Sequence, residues 1–317
     1  LGRPGPVETR LIGDFDQVAR LNVLVAEALA HGDMGLAWAC LAPSAVSQAL
    51  VQWGNAEQQA RYLPAFTEES SPVAALTLTE PTPLFDPMTP TTTARRVEGG
   101  WSISGIKSLV PNAKQCELFV VGAQVEGEGP ALFVVESSPE HIQIADDPAM
   151  GLRAAATGRV QFNELVVPED ARLGASAEQA QANYRECVRL SRLAWCAMAI
   201  GAGKAVQDYV IPYVNERQAF GEPISHRQSV AFMVANIAIE LEGMRLTTLR
   251  AASLAEQGKD YAREAAVARR LCVEKGMQIG SDGVQLLGGH GYTKEHPVER
   301  WYRDLRAIGV AEGVLVL

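Results

Sequence analysis

Two sharp corners in the last third of the chain carry residue types that suit a flat, phosphate-bearing ligand. The first is Arg217–Gly221 (RQAFG), which Pro223 follows closely. Glycine and proline here predict a turn between two long helices. An arginine at such a turn can bind a phosphate through two parallel N–H bonds, and Phe220 and Gln228 could stack on and hydrogen-bond a planar ring. Taken alone, the motif fits an ordinary interhelical turn with an arginine cap equally well.

The second corner is Gln285–Tyr292 (QLLGGHGY). Three glycines within four residues predict a sharp helix end and leave room for another backbone or a ligand to come close. A new helix is predicted over Glu295–Asp304, with Pro297 in its first turn. The structural alternative is a helix break and nothing more.

A third feature is the pair Glu312-Gly313 near the end of the chain. A glutamate can act as a general base, although most glutamates near a chain end are simply solvated. Other chemistry finds little support. The five histidines have no metal-ligand spacing, so no metal site is predicted, and no G-x-S-x-G motif indicates a serine hydrolase. Gly201–Lys204 (GAGK) lacks the spacing of a phosphate loop, and its small residues predict a close approach of two helices.

The elements that must position these residues fall into three regions. From about residue 14 to 66 the apolar spacing is helical, and Val18, Leu21, Leu24, Val25 and Leu29 share one helix face. From about 71 to 174, short apolar runs separated by glycine, proline and acidic clusters predict the strands of a small barrel or sandwich. Long helices return over Ala177–Asn215, Ser225–Gln257 and Tyr261–Leu287.

This order predicts an α+β multidomain fold rather than a parallel βαβ sheet. The predicted domains are an N-terminal helical domain over residues 1–70, which we expect to be incomplete, a central β-barrel-like domain over 71–175 and a C-terminal four-helix bundle over 176–317. The strands are expected near Val73–Leu78, Trp101–Ile106, Leu118–Val121, Ala131–Val135 and Val160–Phe162.

Composition excludes several classes of function. The chain has 317 residues and a net charge of -9, which argues against binding to nucleic acid or to anionic membranes. Its five cysteines are scattered and form no C-x-x-C pair, which indicates free thiols in a reducing compartment. Neither a membrane-spanning apolar stretch nor a signal peptide is evident, so we expect a cytoplasmic protein.

Taken together, the motifs resemble the acyl-CoA dehydrogenase family. The matches occur in the family's order and cover nearly the whole chain. They are Leu78–Pro81 (LTEP), Arg217–Gly221 with Gln228, Gln285–Tyr292, Pro297–Asp304 and Glu312-Gly313. The resemblance implies a helical domain, a β-domain and a four-helix bundle, with FAD bound between the β-domain and the bundle. It also implies a homodimer or homotetramer in which a neighbouring subunit completes the FAD site.

The family's chemistry implies a flavoprotein oxidoreductase of fatty acid and lipid metabolism that introduces an α,β double bond into an acyl-CoA. A carboxylate removes the α-proton, a hydride passes from the β-carbon to flavin, and an electron-transfer flavoprotein takes the electrons. Glu312 matches the position of this base. Some relatives carry the base at the position of Ser191 instead, and serine cannot serve.

The resemblance also assigns binding residues. Arg217, Phe220, Ile224 and Gln228 match positions that hold the pyrophosphate and adenine part of FAD, partly across the dimer interface. Gln285 and Gly289 match further FAD contacts from the neighbour. Leu78 and Thr79 match the strand that meets the flavin. On the substrate side, Arg192 matches an arginine near the base and the CoA chain, and Gly313 follows the base.

The chain departs from the family pattern at four positions. Phe85 replaces a serine that contacts ligand phosphates, Leu109 an aromatic residue that covers the flavin, Pro111 a threonine that approaches it, and Val314 a threonine that hydrogen-bonds FAD. Two hypotheses follow: an active dehydrogenase that holds flavin through other groups, or a catalytically weak, FAD-poor subunit of a hetero-oligomer. An acyl-CoA oxidase-like flavoenzyme is a third alternative.

Overall fold

The computed structural model describes residues 18–311 and residue 313. Three helices come first: α1 (Val18–Gly32), α2 (Met34–Trp53) and α3 (Ala56–Tyr62), and a 3₁₀ turn follows at Leu63–Thr67. The Asp33 carboxylate caps α2 by accepting the Leu36 N–H at 2.9 Å. Asn55 and Gln58 form a reciprocal capping box at the start of α3. These caps satisfy helix-end donors and fix where each helix begins.

The apolar face that the sequence singled out on α1 is not the face that packs. Leu21, Leu24, Val25 and Leu29 are between 39% and 52% exposed, and the buried positions lie on the opposite side of the helix (Val23, Ala26, Ala30). The physical reason is the close crossing of α1 with a later helix at Gly201, where a Cβ atom would come 2.1 Å from the Glu27 carbonyl oxygen. Only small side chains fit between backbones this close. The crossing confirms the prediction that GAGK brings two helices together.

The central region forms one curled seven-stranded sheet with the order β1-β4-β2-β3-β7-β6, and β5 pairs with β4. The strands are β1 (Ala74–Thr77), β2 (Thr93–Val97), β3 (Gly100–Val110), β4 (Leu118–Val125), β5 (Gly129–Glu136), β6 (Ile142–Asp146) and β7 (Gly158–Pro168). The five strands predicted from sequence are confirmed. Strands β2 and β6 were missed because their charged and exposed residues hide the apolar alternation.

Strand β4 shows why the sheet must be covered on both sides. Phe119 and Val121 face the barrel interior, whereas Leu118 and Val120 pack with Leu50 of α2 and the helix that follows the sheet. A strand buried on both faces is expected to be a continuous apolar run, and residues 118–123 form one. The second of these cores joins the β-domain to the helices around the site.

The C-terminal half is helical. It comprises α4 (Ala177–Glu216), α5 (Gln228–Glu256), α6 (Ala262–Leu287) and α7 (Val298–Leu305). A two-residue β8–β9 ladder (Gln218–Ala219 with Glu222–Pro223) separates α4 from α5, and a 3₁₀ turn at Gly288–Tyr292 ends α6. A last 3₁₀ turn, Arg306–Gly309, leads toward the C-terminus. The helix–strand–helix order and the fold class predicted from sequence are confirmed.

Helix α2 is long and apolar enough to span a membrane by length and composition, contrary to the expectation from the sequence. Half of its most apolar 18-residue stretch is buried inside the fold, and the helix contains Pro43. A core helix passes the same test. Its buried residues Val46 and Leu50 contact the β-domain core, which accounts for its composition.

Candidate active site

The β-domain contributes one wall of the site through the residues just after β1. The Ser108 N–H donates to the Thr79 carbonyl oxygen at 2.9 Å, and the Lys107 ammonium donates to the Leu78 carbonyl oxygen at 3.4 Å. Leu78 is buried and Thr79 is half-buried. The backbone of Leu78 and Thr79 is therefore fixed from below by β3.

A buried ion pair lies directly under this wall. The Glu80 carboxylate accepts the Lys107 ammonium at 2.8 Å, the Thr91 hydroxyl and N–H at 2.6 and 2.7 Å, and the Thr92 N–H at 2.9 Å. Burial by itself would raise the pKa of Glu80. The adjacent Lys107 charge and the hydrogen bonds from Thr91 and Thr92 outweigh it and lower the pKa to about 2. Glu80 is thus ionised, fully hydrogen-bonded and rigid.

The end of β3 is bent into the site by a bulge between Lys107 and Val110. Leu109 has a φ of 53°, which is unusual for a residue with a side chain. The Asp147 carboxylate holds this conformation by accepting the Leu109 N–H at 3.0 Å and a short hydrogen bond from the Ser108 hydroxyl. These contacts and Arg159 outweigh the effect of burial and lower the pKa of Asp147. The unusual backbone of Leu109 is thus held in place at a point where the residue faces a cavity.

These β-domain residues face a cavity of about 510 Å³ between the sheet and the helices. Such a volume is typical of a small-molecule site. Thr79, Leu109 and Pro111 line it on the sheet side, and Leu190 and Ser191 of α4 line it on the other. Its helical part contains an apolar patch of Trp38, Leu41, Trp195 and Met198, in which the two tryptophan rings lie 4.9 Å apart. Polar residues such as Gln48 and Glu186 line the rest of the helical part.

The predicted base, Glu312, lies outside the described residues, as does Val314. The structure describes their neighbour Gly313, whose φ is 79°. A Cβ atom at this position would lie 2.1 Å from the Phe85 carbonyl oxygen, so only glycine fits. Phe85 is itself buried. The residue that breaks the family pattern at 85 therefore packs against the segment that carries the predicted base.

The second site is an open groove on the far side of the bundle. Five of the predicted residues line it: Arg217, Phe220, Ile224, Gln285 and Gly289. Phe220 is 94% exposed and has a φ of 55°. A Cβ atom on Gly288 or Gly289 would meet no atom within 4 Å, so this part of the groove is bare backbone. The remaining residue predicted from the corners, Gln228, is exposed at the start of α5 and does not line the groove.

The structure thus distributes the predicted residues over two places. Leu78 and Thr79 lie at the cavity, and the two corners lie at the groove. Arg192 is half-buried on α4 beside Ser191 and is not among the residues lining the cavity. The residues that line the cavity and those that line the groove form two separate sets.

Comparison with known proteins identifies this arrangement. Models of the acyl-CoA dehydrogenase N-terminal, middle and C-terminal domains match residues 15–70, 75–165 and 182–315. The mitochondrial short/branched chain specific acyl-CoA dehydrogenase of Rattus norvegicus is 32% identical over 301 residues, covering 92% of this chain and 68% of the relative. The chain belongs to the acyl-CoA dehydrogenase family. Members of this family are FAD-dependent oxidoreductases that act on acyl-CoA.

The match covers a larger share of two further acyl-CoA dehydrogenases. The cyclohex-1-ene-1-carbonyl-CoA dehydrogenase of Geobacter metallireducens is 30% identical over 319 residues, covering 99% of this chain and 84% of the relative. The crystal structure of an acyl-CoA dehydrogenase from Geobacillus kaustophilus superposes with a TM-score of 0.82 at 26% identity, covering 92% of this chain and 78% of that one. The chain spans only 65–68% of the length of mitochondrial relatives.

The residues present fit the FAD of an acyl-CoA dehydrogenase. The groove combines an exposed arginine, a glutamine amide and the bare backbone of Gly288 and Gly289, a set suited to a pyrophosphate and its nucleotide. At the cavity, Leu78 and Thr79 offer an edge of rigid backbone. Pro111 has no N–H to donate, so the sheet wall offers fewer donors than the family pattern.

The sequence did not predict three buried or half-buried side chains that hold this acyl-CoA dehydrogenase site in place: Asp147, Lys107 and Arg269. Asp147 could not have been found, because it lies 38 residues from Leu109 in sequence and no motif links the two. The pairing of Lys107 with Glu80 was not predicted, because the two lie 27 residues apart and no motif links them. Arg269 had a detectable signal: it lies at helical spacing from the buried residues Ala265 and Cys272, on the buried face of α6.

Proposed function

We propose that this chain is a subunit of an FAD-dependent acyl-CoA dehydrogenase that introduces an α,β double bond into an acyl-CoA thioester. The observation that carries the proposal is the cavity between Leu78–Thr79 and α4 in a chain that has all three domains of the family. The apolar patch on its helical wall suits an acyl chain, and the backbone edge of its sheet wall suits a flavin.

Glu312 is proposed as the base that removes the α-proton. The α-proton of a thioester is weakly acidic, so the carboxylate must be held close to it and the developing enolate must be stabilised by a nearby donor. As the family resemblance implies, we propose the backbone N–H at the base as the donor that this chain supplies. Ser191, at the position where some relatives carry the base, lines the cavity but lacks a carboxylate. The carboxylates that do line it, Glu186 and Glu256, are engaged by the Tyr261 hydroxyl and by Arg20. Glu312, which matches the family's base position, is therefore the proposed base. Bound FAD would supply the acceptor for the hydride from the β-carbon.

The groove supports a proposal about assembly. Arg217, Gln285 and Gly289 are exposed and lie away from the residues that line the cavity of the same subunit. We expect them, with Phe220, Ile224 and Gln228, to hold the pyrophosphate and adenine part of FAD in a homodimer or homotetramer. Arg192 and Gly313 are proposed on the acyl-CoA side, near the base. An electron-transfer flavoprotein is the proposed electron acceptor, and the proposed location is cytoplasmic.

One observation favours a second candidate function. Pro111 and Leu109 stand in the cavity wall where the family has a hydroxyl donor and an aromatic ring, whereas the groove keeps its arginine and glutamine. A subunit that completes a partner's FAD site while its own holds flavin weakly would show this pattern.

The flavin content of the purified protein separates these functions. We expect a yellow protein with about one FAD per subunit that reduces an artificial acceptor when an acyl-CoA is added. A colourless protein that acquires flavin only with a second, different chain would support the hetero-oligomer. Peroxide formation in air without an acceptor would indicate an oxidase.

A further inference from the structure

Arg269 of α6 is a buried arginine whose role no motif explains. Its side chain is only 1% exposed, because it lies within the helical bundle on the same buried face as Ala265, Ala268 and Cys272. A guanidinium stays charged at every accessible pH, and burying it is costly unless its donors are used. Nε and Nη1 find no hydrogen-bond partner among residues 18–311 and 313.

The remaining nitrogen, Nη2, is used in a specific way. It donates a short hydrogen bond to the Ala311 carbonyl oxygen and a longer one, at 3.4 Å, to the Gly313 carbonyl oxygen. Residue 312 lies between these two in sequence. The guanidinium of α6 therefore holds the backbone on both sides of the predicted base.

Other contacts hold the same segment as well. The Ala311 N–H donates to the Ala307 carbonyl oxygen at 2.8 Å, and Ala311 is 1% exposed. Gly313 packs against the Phe85 backbone from the β-domain. Ala311 and Gly313, the described residues on either side of position 312, are thus anchored through backbone atoms.

We propose that Arg269 is a positioning residue that fixes the backbone on each side of Glu312 and so sets the aim of the base. The inference rests on the proposed function for its catalytic part, and on the two carbonyl contacts for its structural part. Arg269 touches neither substrate nor cofactor in this proposal. A positioning error of about 1 Å in a catalytic group can lower a rate by about 10²-fold.

The test compares Arg269→Met with Arg270→Met. Both variants remove one arginine from the same turn of α6, but Arg270 is exposed. We expect amide hydrogen exchange of Ala311 and Gly313 to become about tenfold faster in R269M alone, because local opening requires loss of fewer contacts. We also expect kcat per bound flavin to fall by about 10- to 100-fold with KM for acyl-CoA nearly unchanged.

Arg269→Lys tests whether donation to the carbonyls is what matters. An ammonium can donate to the same two oxygens, so R269K should return both the exchange rate and kcat to within about threefold of wild type. If R269M cannot be purified, Arg269→Gln, whose side chain is too short to reach both carbonyls, takes its place. A folded R269K that exchanges and turns over as poorly as R269M or R269Q would contradict the proposal.

The exchange rates and kcat values together distinguish failure of the Arg269 proposal from failure of the proposed dehydrogenase function. Equal exchange rates and equal kcat in R269M and R270M would overturn the role of Arg269 and leave the dehydrogenase function standing. A loss of thermal stability in R269M with unchanged kcat per flavin and unchanged local exchange would also overturn it. If the wild-type protein proves inactive on acyl-CoA, the exchange experiment still decides whether Arg269 anchors the segment.

Discussion

At the scale of single residues, backbone geometry near the base explains more than side-chain identity does. Gly313 adopts a φ of 79° and lies against Phe85. The sequence pointed to Gly313 through the pair Glu-Gly, but its reason for being glycine became visible only in the packing. Conversely, the sequence suggested that Phe85 replaces a residue that contacts ligand phosphates. In the structure Phe85 is buried and packs against Gly313, next to the predicted base.

Gly313→Ala should strongly impair turnover. Its Cβ atom would meet the Phe85 carbonyl oxygen at 2.1 Å and would also sit in left-handed backbone, which costs about 1 kcal/mol before the clash is counted. We expect kcat/KM to fall at least about tenfold in a steady-state assay. Gly309→Ala is the matched control, since its Cβ atom would make only ordinary contacts from 3.5 Å. Equal activity of the two variants would contradict this explanation.

The buried pair Glu80 and Lys107 gives a prediction about stability. Lys107→Met leaves the Glu80 charge buried without its partner, which should lower the free energy of unfolding by about 3–5 kcal/mol in urea titrations. Glu80→Gln combined with Lys107→Met should recover part of this loss. A Lys107→Met variant as stable as wild type would show that the ion pair contributes little to the free energy of unfolding.

The same pair sets a pH dependence. The folded pKa of Glu80 is about 2, below its ordinary value of 4.5. Its contribution is therefore fully present above about pH 4.5 and is lost as the pH falls toward 2. Unfolding free energies measured from pH 6 to pH 3 should fall less steeply in Glu80→Gln than in wild type. An unfolding free energy that falls equally steeply with pH in both proteins would contradict this role of Glu80.

At the scale of elements, the sequence predicted helix and strand types well and helix faces less well. Long helices were placed within a few residues because their apolar periodicity is strong: Ala177–Asn215 was expected and α4 ends at Glu216. The sequence did not indicate which face of α1 packs: its large apolar residues share one side, and the close crossing at Gly201 buries the side with the alanines. Periodicity cannot show how near a partner backbone comes.

Gly201→Ala tests that crossing. The added methyl would lie 2.1 Å from the Glu27 carbonyl oxygen and would push α1 away from α4, at a cost of about 1–3 kcal/mol. Gly243→Ala is the control, because its Cβ atom would meet only Leu271 at 3.8 Å and alanine favours a helix by about 0.5–1 kcal/mol. Urea unfolding should rank the Gly201 variant below wild type and the Gly243 variant at or above it. The reverse order would contradict the packing account.

At the scale of the whole molecule, the predicted site residues lie at two places, the cavity and the groove. The two corners at residues 217–221 and 285–292 were recognisable because arginine and clustered glycines are distinctive at helix ends. The supporting residues Asp147 and Arg269 were not, because each acts on backbone far away in sequence. The proposed assembly, in which a neighbouring subunit completes the FAD site, accounts for this division.

Mixing two inactive variants tests the divided site. Arg217→Met should remove an FAD contact given to a neighbour, and Glu312→Gln should remove the base of its own subunit. In a mixed dimer, one site would combine Glu312 of the first subunit with Arg217 of the second. Co-refolded at equal amounts, the pair should regain about a quarter of wild-type activity, because half of the dimers are mixed and each has one intact site. No regained activity would show that each subunit holds its FAD alone.

The central claim is that Glu312 is the base that starts oxidation of a bound acyl-CoA. The most direct measurement is an anaerobic titration of the flavin absorbance with acyl-CoA, without any electron acceptor, in wild type and in Glu312→Gln. The account predicts that wild-type flavin bleaches within seconds and that the variant binds the same amount of FAD but stays yellow. Bleaching of Glu312→Gln at the wild-type rate would contradict it.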